Sequence, residues 1–242
     1  MKKLVRLFVF LLFVLPFLSA QGQINKEASQ MLWKGIGGKE KWEKTNYILF
    51  VANGGELDYT QSARTFLVNR KSGQVRFEGK SLNGDNLAVF FNFNSGKVTK
   101  FYINGTQLKE LNDTTIKKCD KIKNQFQQDI SFLFLSALVN TPETKTGTLS
   151  SKIINAEKLQ SINIELKNGA LSGEVLFNAE TGYIKQLITK DKGTYYVNGY
   201  KDIGDGLFLP TSFKNINNST KSVYFSTVAA FSDMEESKFI QL

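Results

Sequence analysis

No histidine occurs among the 242 residues. Its absence removes Ser-His and Cys-His nucleophile activation, imidazole general-base catalysis and the commonest zinc ligand. The single cysteine, Cys119, falls on the apolar side of a helical pattern, where a thiol packs as a small core residue. Carboxylates could still act in pairs, as in glycoside hydrolysis. Glu56 with Asp58, Asp85, Glu165, Glu174, Asp202 and Asp205 are the candidates, but none sits in a recognisable motif. Gly54 and Gly55 before the first two mark a solvated turn. Gly35-Ile36-Gly37-Gly38 has the glycines of a phosphate loop, yet it follows a helical pattern and lacks the Lys-Ser/Thr that such a loop needs. Helix termination accounts for it. The expectation is a protein with no catalytic residue, no metal and no cofactor.

What the chain has in quantity is phenylalanine, twenty in all. Phe66, Phe77, Phe91, Phe93, Phe101 and Phe177 fall in segments that alternate apolar and polar. Such alternation fills the core of any half-buried sheet. On a curved sheet under a lid, the same rings would line a pocket, where each acyl methylene gains about 0.8 kcal/mol on leaving water. Both readings stay open at this point.

The elements that would place these rings read as follows. Residues 25–35 have helical spacing at Ala28, Met31, Leu32 and Gly35, with Asn25 as N-cap and a glycine stop. A short turn of helix near 39–43 puts Trp42 against the core. Period-two segments follow at 47–51, 65–69, 75–78, 87–93 and 98–104, with turns at Asn53-Gly54-Gly55, Lys71-Ser72-Gly73, Asn83-Gly84-Asp85 and Asn94-Ser95-Gly96. A long helix interrupts this meander. Ile116, Cys119, Ile122, Phe126, Ile130, Leu133, Phe134, Ala137 and Leu138 form its apolar face, with Lys117, Lys118, Lys121 and Gln125 opposite and Pro142 at its end. Its lysines read as a solvated face. After a polar stretch at 144–152, strands resume at 162–166, 174–177, 183–189, 194–197, 207–216 and 222–228. Strands on either side of the helix look alike. One continuous antiparallel sheet of ten or eleven strands wrapping one or two helices is the economical α+β arrangement.

The N-terminus assigns the compartment. Lys2, Lys3 and Arg6 precede an apolar run from 7 to 18, and small residues follow at Ser19, Ala20 and Gly22. That is the order of a secretory signal peptide, cleaved after Ala20 or Gly22, and the run is too short to span a bilayer. Residues 1–22 are therefore expected to be removed and 23–242 to fold as one domain. One cysteine allows no internal disulfide, so a hydrophobic core must hold the fold. The formal charge of +9 falls to +6 without Lys2, Lys3 and Arg6. In an exported protein this excess suits solubility, or attraction to an anionic membrane surface or polysaccharide, rather than nucleic acid.

Three stretches resemble the LolA-like family of periplasmic lipoprotein carriers. Residues 64–78 (RTFLVNRKSGQVRFE) are similar to that family's early strand–turn–strand, and residues 87–105 to the next strand pair. Residues 175–185 (VLFNAETGYIK) with 206–213 (GLFLPTSF) look like the late strands of exported Bacteroidetes-type members. The resemblance implies an unclosed antiparallel half-barrel of about eleven strands, with helices covering its concave face. It implies a lipid or lipoprotein acyl chain held in an apolar cavity, which here would involve Phe66, Phe77, Phe91, Phe93, Phe101, Phe126, Leu133, Ile164 and Phe177. The family fastens its lid with an arginine on an early strand; Arg64, Arg70 and Arg76 lie in that region. A periplasmic monomer follows, with an apolar ligand and envelope lipoproteins or an anionic membrane as partners. The alternative is an envelope module that binds a partner protein or polysaccharide on the sheet's outer face.

Overall fold

The computed structural model describes residues 25–167 and 170–242; the expected signal peptide and Asn168-Gly169 lie outside them. Helix α1 (Lys26–Gly35) opens with Asn25, whose side chain accepts from the Ala28 amide, and buries Ala28 and Leu32. Helix α2 (Lys39–Lys44) carries Trp42 into the core. Strands β1 (Tyr47–Gly54), β2 (Thr60–Asn69), β3 (Gln74–Ser81), β4 (Asn86–Asn92), β5 (Val98–Ile103) and β6 (Thr106–Gln107) form the first meander. Helix α3 (Asp113–Leu133) and the single turn α4 (Leu135–Leu138) follow, separated at Phe134. The second meander comprises β7 (Lys145–Thr146), β8 (Ser150–Ile154), β9 (Glu157–Glu165), β10 (Ser172–Phe177), β11 (Ile184–Thr189), β12 (Gly193–Asn198), β15 (Ser212–Asn215) and β16 (Val223–Phe231). A small ribbon of β13 (Lys201–Asp202) and β14 (Phe208–Leu209) stands apart from it.

All sixteen strands except that ribbon join one antiparallel, unclosed sheet of fourteen. Its order is β6-β5-β4-β3-β2-β1-β16-β15-β12-β11-β10-β9-β7, with β8 also on β9. The first and last long strands, β1 and β16, pair at its centre, Tyr47 opposite Phe231. The chain leaves the sheet at one edge, β6, and rejoins it at the other, β7. Helix α3 is the connection. Its 21 residues rise about 31 Å, about half the width of twelve flat strand spacings, so the helix can link the two edges only across a curled sheet. Topology and curvature together lay the helix over the sheet.

The sheet curls toward that helix. Strands β1 and β4 are three spacings apart, about 14 Å on a flat sheet. Yet the rings of Phe50 on β1 and Phe91 on β4 lie 6.4 and 5.5 Å from the single ring of Phe126 on α3. Farther along the helix, Phe132 meets Tyr195 on β12 and Phe213 on β15, each at 5.1 Å. Strands from both meanders thus converge on one helix.

Three hairpins share an Asn-x-x-x-Gly turn. Asn69, Asn92 and Asn178 each accept at the side-chain oxygen from the amides two and three residues on. Their carbonyls accept from Gly73, Gly96 and Gly182. Those glycines have φ near +75°, where an L side chain is strained.

Several expectations need correction. The sheet has fourteen strands rather than about eleven, because β6, β7 and β8 are edge pieces in polar sequence. An edge strand that packs on little gives no period-two apolar signal. The expected strand 207–216 is split at Pro210-Thr211, since proline cannot donate to a ladder. Ile116, placed on the inner face of α3, is 45% exposed in the first helical turn. Gln125, placed on the polar face, is buried.

Candidate functional site

The largest side chain buried completely is an arginine. Arg64 lies on β2 in the alternating set Arg64, Phe66, Val68 that faces the core, so the pleat that buries Phe66 buries the guanidinium as well. Its partner comes from the helix. Ile122, Phe126, Asp129 and Leu133 follow one another at helical spacing, and Asp129 takes the inward position between two core residues.

The pair is bidentate. Arg64 Nε donates to Asp129 Oδ2 at 2.7 Å and Nη2 to Oδ1 at 2.6 Å. Arg64 Nη1 donates to the carbonyls of Gly54 at 2.8 Å and Ser62 at 2.9 Å, which fixes the fork against the loop between β1 and β2. Gln125, one turn earlier on α3, donates to Asp129 Oδ1 at 3.3 Å. Burial pushes the Asp129 carboxyl above its ordinary value, while the Arg64 hydrogen bonds and charge, and the Gln125 bond, pull the other way. Lys192 lies toward the solvent side of this group, lining a shallow cleft with Glu56, Gln128 and Lys221. Burial pushes its ammonium down, and Glu56 partly offsets that.

This geometry offers a clamp, not a reactive centre. Arg64 has no lone pair to give, and both carboxylate oxygens of Asp129 are already accepting. Among the described residues, this pair is the one ion pair between the covering helix and the curved sheet that is buried on both sides. Removing one member of such a pair strands the other charge, at a cost of about 3–5 kcal/mol.

Of the other early arginines, Arg70 is stacked 3.6 Å over Trp42 and donates to the carbonyls of Trp42 and Thr45, both at 2.6 Å. Burial lowers its pKa to about 10. It pins α2 to the end of β2. Arg76 projects from the opposite face of the sheet and pairs with Glu78.

Of the nine apolar residues assigned to a ligand cavity, Phe126 and Leu133 belong to α3 and the other seven to the strands and turns that share its core cluster. Phe66, Phe77, Phe101, Phe126, Leu133 and Phe177 are fully buried, Phe91 and Ile164 nearly so, and Phe93 is half-buried at the rim. Phe126 is the hub. Its ring lies 5.2 Å from Phe66 and 5.8 Å from Phe93, besides Phe50 and Phe91. The rings occupy the space between helix and strands. Beside them a recess of about 430 Å³ opens between α3, the β4–β5 turn and the start of the second meander, with Phe93, Ile130, Leu138 and Leu166 in its lining and Glu143 and Lys167 at its rim.

Asp129 was not among the expected site residues, and Gln125 was expected on the solvated face of the helix rather than beside the pair. The signal was present: an acid on the apolar stripe of a helix and a base on the apolar alternation of a strand call for each other. Six of the seven candidate acids have ordinary partners. Asp58 pairs with Lys121, Glu56 with Lys221, Glu165 with Lys145 and Glu174 with Lys152. Asp85 accepts from Asn104, and Asp202 from the amides of Gly204 and Gly206. Among the described residues no cluster of acids and thiols is arranged to hold a metal ion, and no helix is long and apolar enough to cross a membrane.

Neither the known family models nor the curated proteins contain a match to this chain. Solved structures are similar to it at low identity. One is described as an outer membrane lipoprotein-sorting protein domain from Vibrio parahaemolyticus, at 10% identity over 88% of this chain and 97% of that one, with a TM-score of 0.36. Another is a DUF1329 family protein from Desulfovibrio piger, at 10% identity over 89% and 97%, with a TM-score of 0.38. A third is MucB in complex with MucA(peri), at 11% identity over 88% of this chain and 58% of that one, with a TM-score of 0.27.

Proposed function

We propose that the protein is a non-catalytic carrier of the cell envelope, exported to the periplasm, that holds a lipid or acyl chain between the curved sheet and α3. The observation that carries this reading is the buried Arg64–Asp129 pair. A helix meant only to cover a core is held at least as well by apolar contacts, because a buried ion pair adds little net stability over well-packed hydrophobic residues. An ion pair is of use where the contact must open and reclose at one position. On opening, water solvates both charges again and recovers part of the desolvation cost.

The apolar terms then decide which ligand opens it. Lifting α3 parts the rings around Phe126, and a ligand must replace that burial. At about 0.8 kcal/mol per methylene, a chain of roughly ten supplies about 8 kcal/mol, whereas a two- or three-carbon group falls short of the latch. Long acyl chains are selected by length, without polar recognition. The recess beside Phe93 and Ile130 is the entry, since its floor is continuous with the ring cluster.

Lipid extraction and mass spectrometry of the protein purified from its native envelope test this. A stoichiometric acyl lipid is expected. With long-chain fatty acid added, Cys119 on the inward face of α3 should become reactive to a thiol reagent. An empty protein whose Cys119 stays protected at every lipid concentration would overturn the proposal.

A further inference from the structure

The outer face of the first meander is covered as well, and by the chain's own end. Leu67, Ala88 and Phe90 point away from the core, alternating with Phe66, Val89 and Phe91, yet all three are buried. Cross-strand register aligns Leu49, Leu67, Arg76, Phe90 and Lys100 in one row across β1 to β5. The segment after β16 turns back over this row in a short 3-10 turn, Glu236–Phe239. Three of its main-chain carbonyls are gripped by the row's two cations. Arg76 Nη1 donates to Lys238 at 3.3 Å and Gln241 at 3.0 Å, and Lys100 Nζ donates to Ile240 at 2.6 Å. One side chain anchors the segment: Phe239 is buried, its ring 5.8 Å from Tyr47. Its neighbours Ile240 and Leu242 are about half exposed.

Contacts of this kind read a main-chain shape and one aromatic ring, and nothing else of the sequence. Any segment with the same turn and ring would satisfy them. An open recess of about 650 Å³ continues alongside, lined by Thr65, Glu78, Lys80, Ala88 and Tyr102, with Leu242 as part of its wall.

We infer that the outer face of β2 to β5 is a peptide-binding site for an aromatic-anchored segment of a partner protein, and that residues 236–242 are its resident intramolecular ligand. Displacement couples partner binding to release of the C-terminal segment. The site lies on the face opposite α3 and stands whether or not the inner face takes a lipid.

A fluorescein-labelled peptide EESKFIQL, copying residues 235–242, tests this by anisotropy against the full chain. It should bind a Phe239→Ala chain, whose own anchor is gone, at least tenfold more tightly than the unaltered chain. A peptide with Ala in place of its Phe should lose that gain, and so should Arg76→Gln with Lys100→Gln in the Phe239→Ala chain. Hydrogen exchange on the unaltered chain reads the same event without a variant. Excess peptide should deprotect the amides of residues 238–241 while β3 keeps its protection. No binding to the Phe239→Ala chain, affinity indifferent to Arg76 and Lys100, or unchanged exchange at 238–241 would each overturn the inference.

Discussion

Arg64 and Asp129 both gave up their water on folding, and among the described residues each is the one opposite charge in direct contact with the other. Asp129→Ala therefore strands a buried guanidinium and should lower stability by about 3–5 kcal/mol in urea denaturation. Replacing both members with apolar residues, Arg64→Met with Asp129→Leu, should recover most of that loss or exceed it. The double variant separates stability from function. On the proposed mechanism it folds well but loses lipid exchange, because a purely apolar seam has no solvated open state to favour. A double variant with normal exchange would mean that the pair is not a latch.

Cys119 supplies a second test at the same scale. Burial raises its thiol from an ordinary 9.0 to about 11, leaving on the order of one thiol in a thousand ionised at pH 8. Alkylation of the folded chain should be correspondingly slow. The raised value also means that the folded state holds this proton more tightly than the unfolded state. Its contribution to stability is complete below pH 9 and is lost as pH climbs through about 11. The alkaline decline of the urea midpoint should accordingly be shallower in Cys119→Ala.

Among the elements, α1 shows how closely a helix can be set against a turn. Gly35 at its end and Gly182 in the β10–β11 hairpin meet backbone to backbone. A methyl group on Gly182 would collide with the Met31 carbonyl, and one on Gly35 with the Gly182 carbonyl. Gly84 and Gly96 also have positive φ, but a methyl there meets nothing. Gly84→Ala and Gly96→Ala should cost only the conformational penalty, about 1–2 kcal/mol. Gly182→Ala adds the collision and should cost clearly more, by thermal or urea unfolding. Equal losses at the three positions would show that α1 yields to its neighbour. The repeated Asn-x-x-x-Gly turn is legible in part: Gly73 and Gly96 mark turns in the sequence, while Asn69 and Asn92 read as strand residues. The side-chain bonds that make each asparagine its turn's first residue depend on φ and ψ that spacing alone does not reveal.

At the scale of the whole molecule, the pairing of β1 with β16 matters most. It joins the first and second meanders at the centre of the sheet, where a chain of two domains would have its boundary. One cooperative unit is the consequence we propose. Fluorescence of Trp42, which Arg70 ties to the end of β2, read in a Trp33→Phe chain, and far-UV circular dichroism, which reports every strand, should give coincident urea transitions. Two separated transitions would mean that the meanders fold independently and that the β1–β16 seam is weak.

The sequence by itself determined the order of elements, the alternation that sends Phe66, Phe77 and Phe91 to one face, and the lack of any histidine-based chemistry. These are local properties, set by side-chain period, turn residues and composition. Only the tertiary structure decided which charges meet. Arg64 and Asp129 lie 65 residues apart; each segment shows a charge on an apolar face that needs a partner, but only the helix bridging the two edges of the sheet decides that the partner of one is the other. It also decided that the outer face is covered, because Arg76, Lys100 and the carbonyls of residues 238–241 come together only when the chain's end folds back across strands laid down early. Pairings of that range depend on the path of the whole chain, and no spacing along it encodes them.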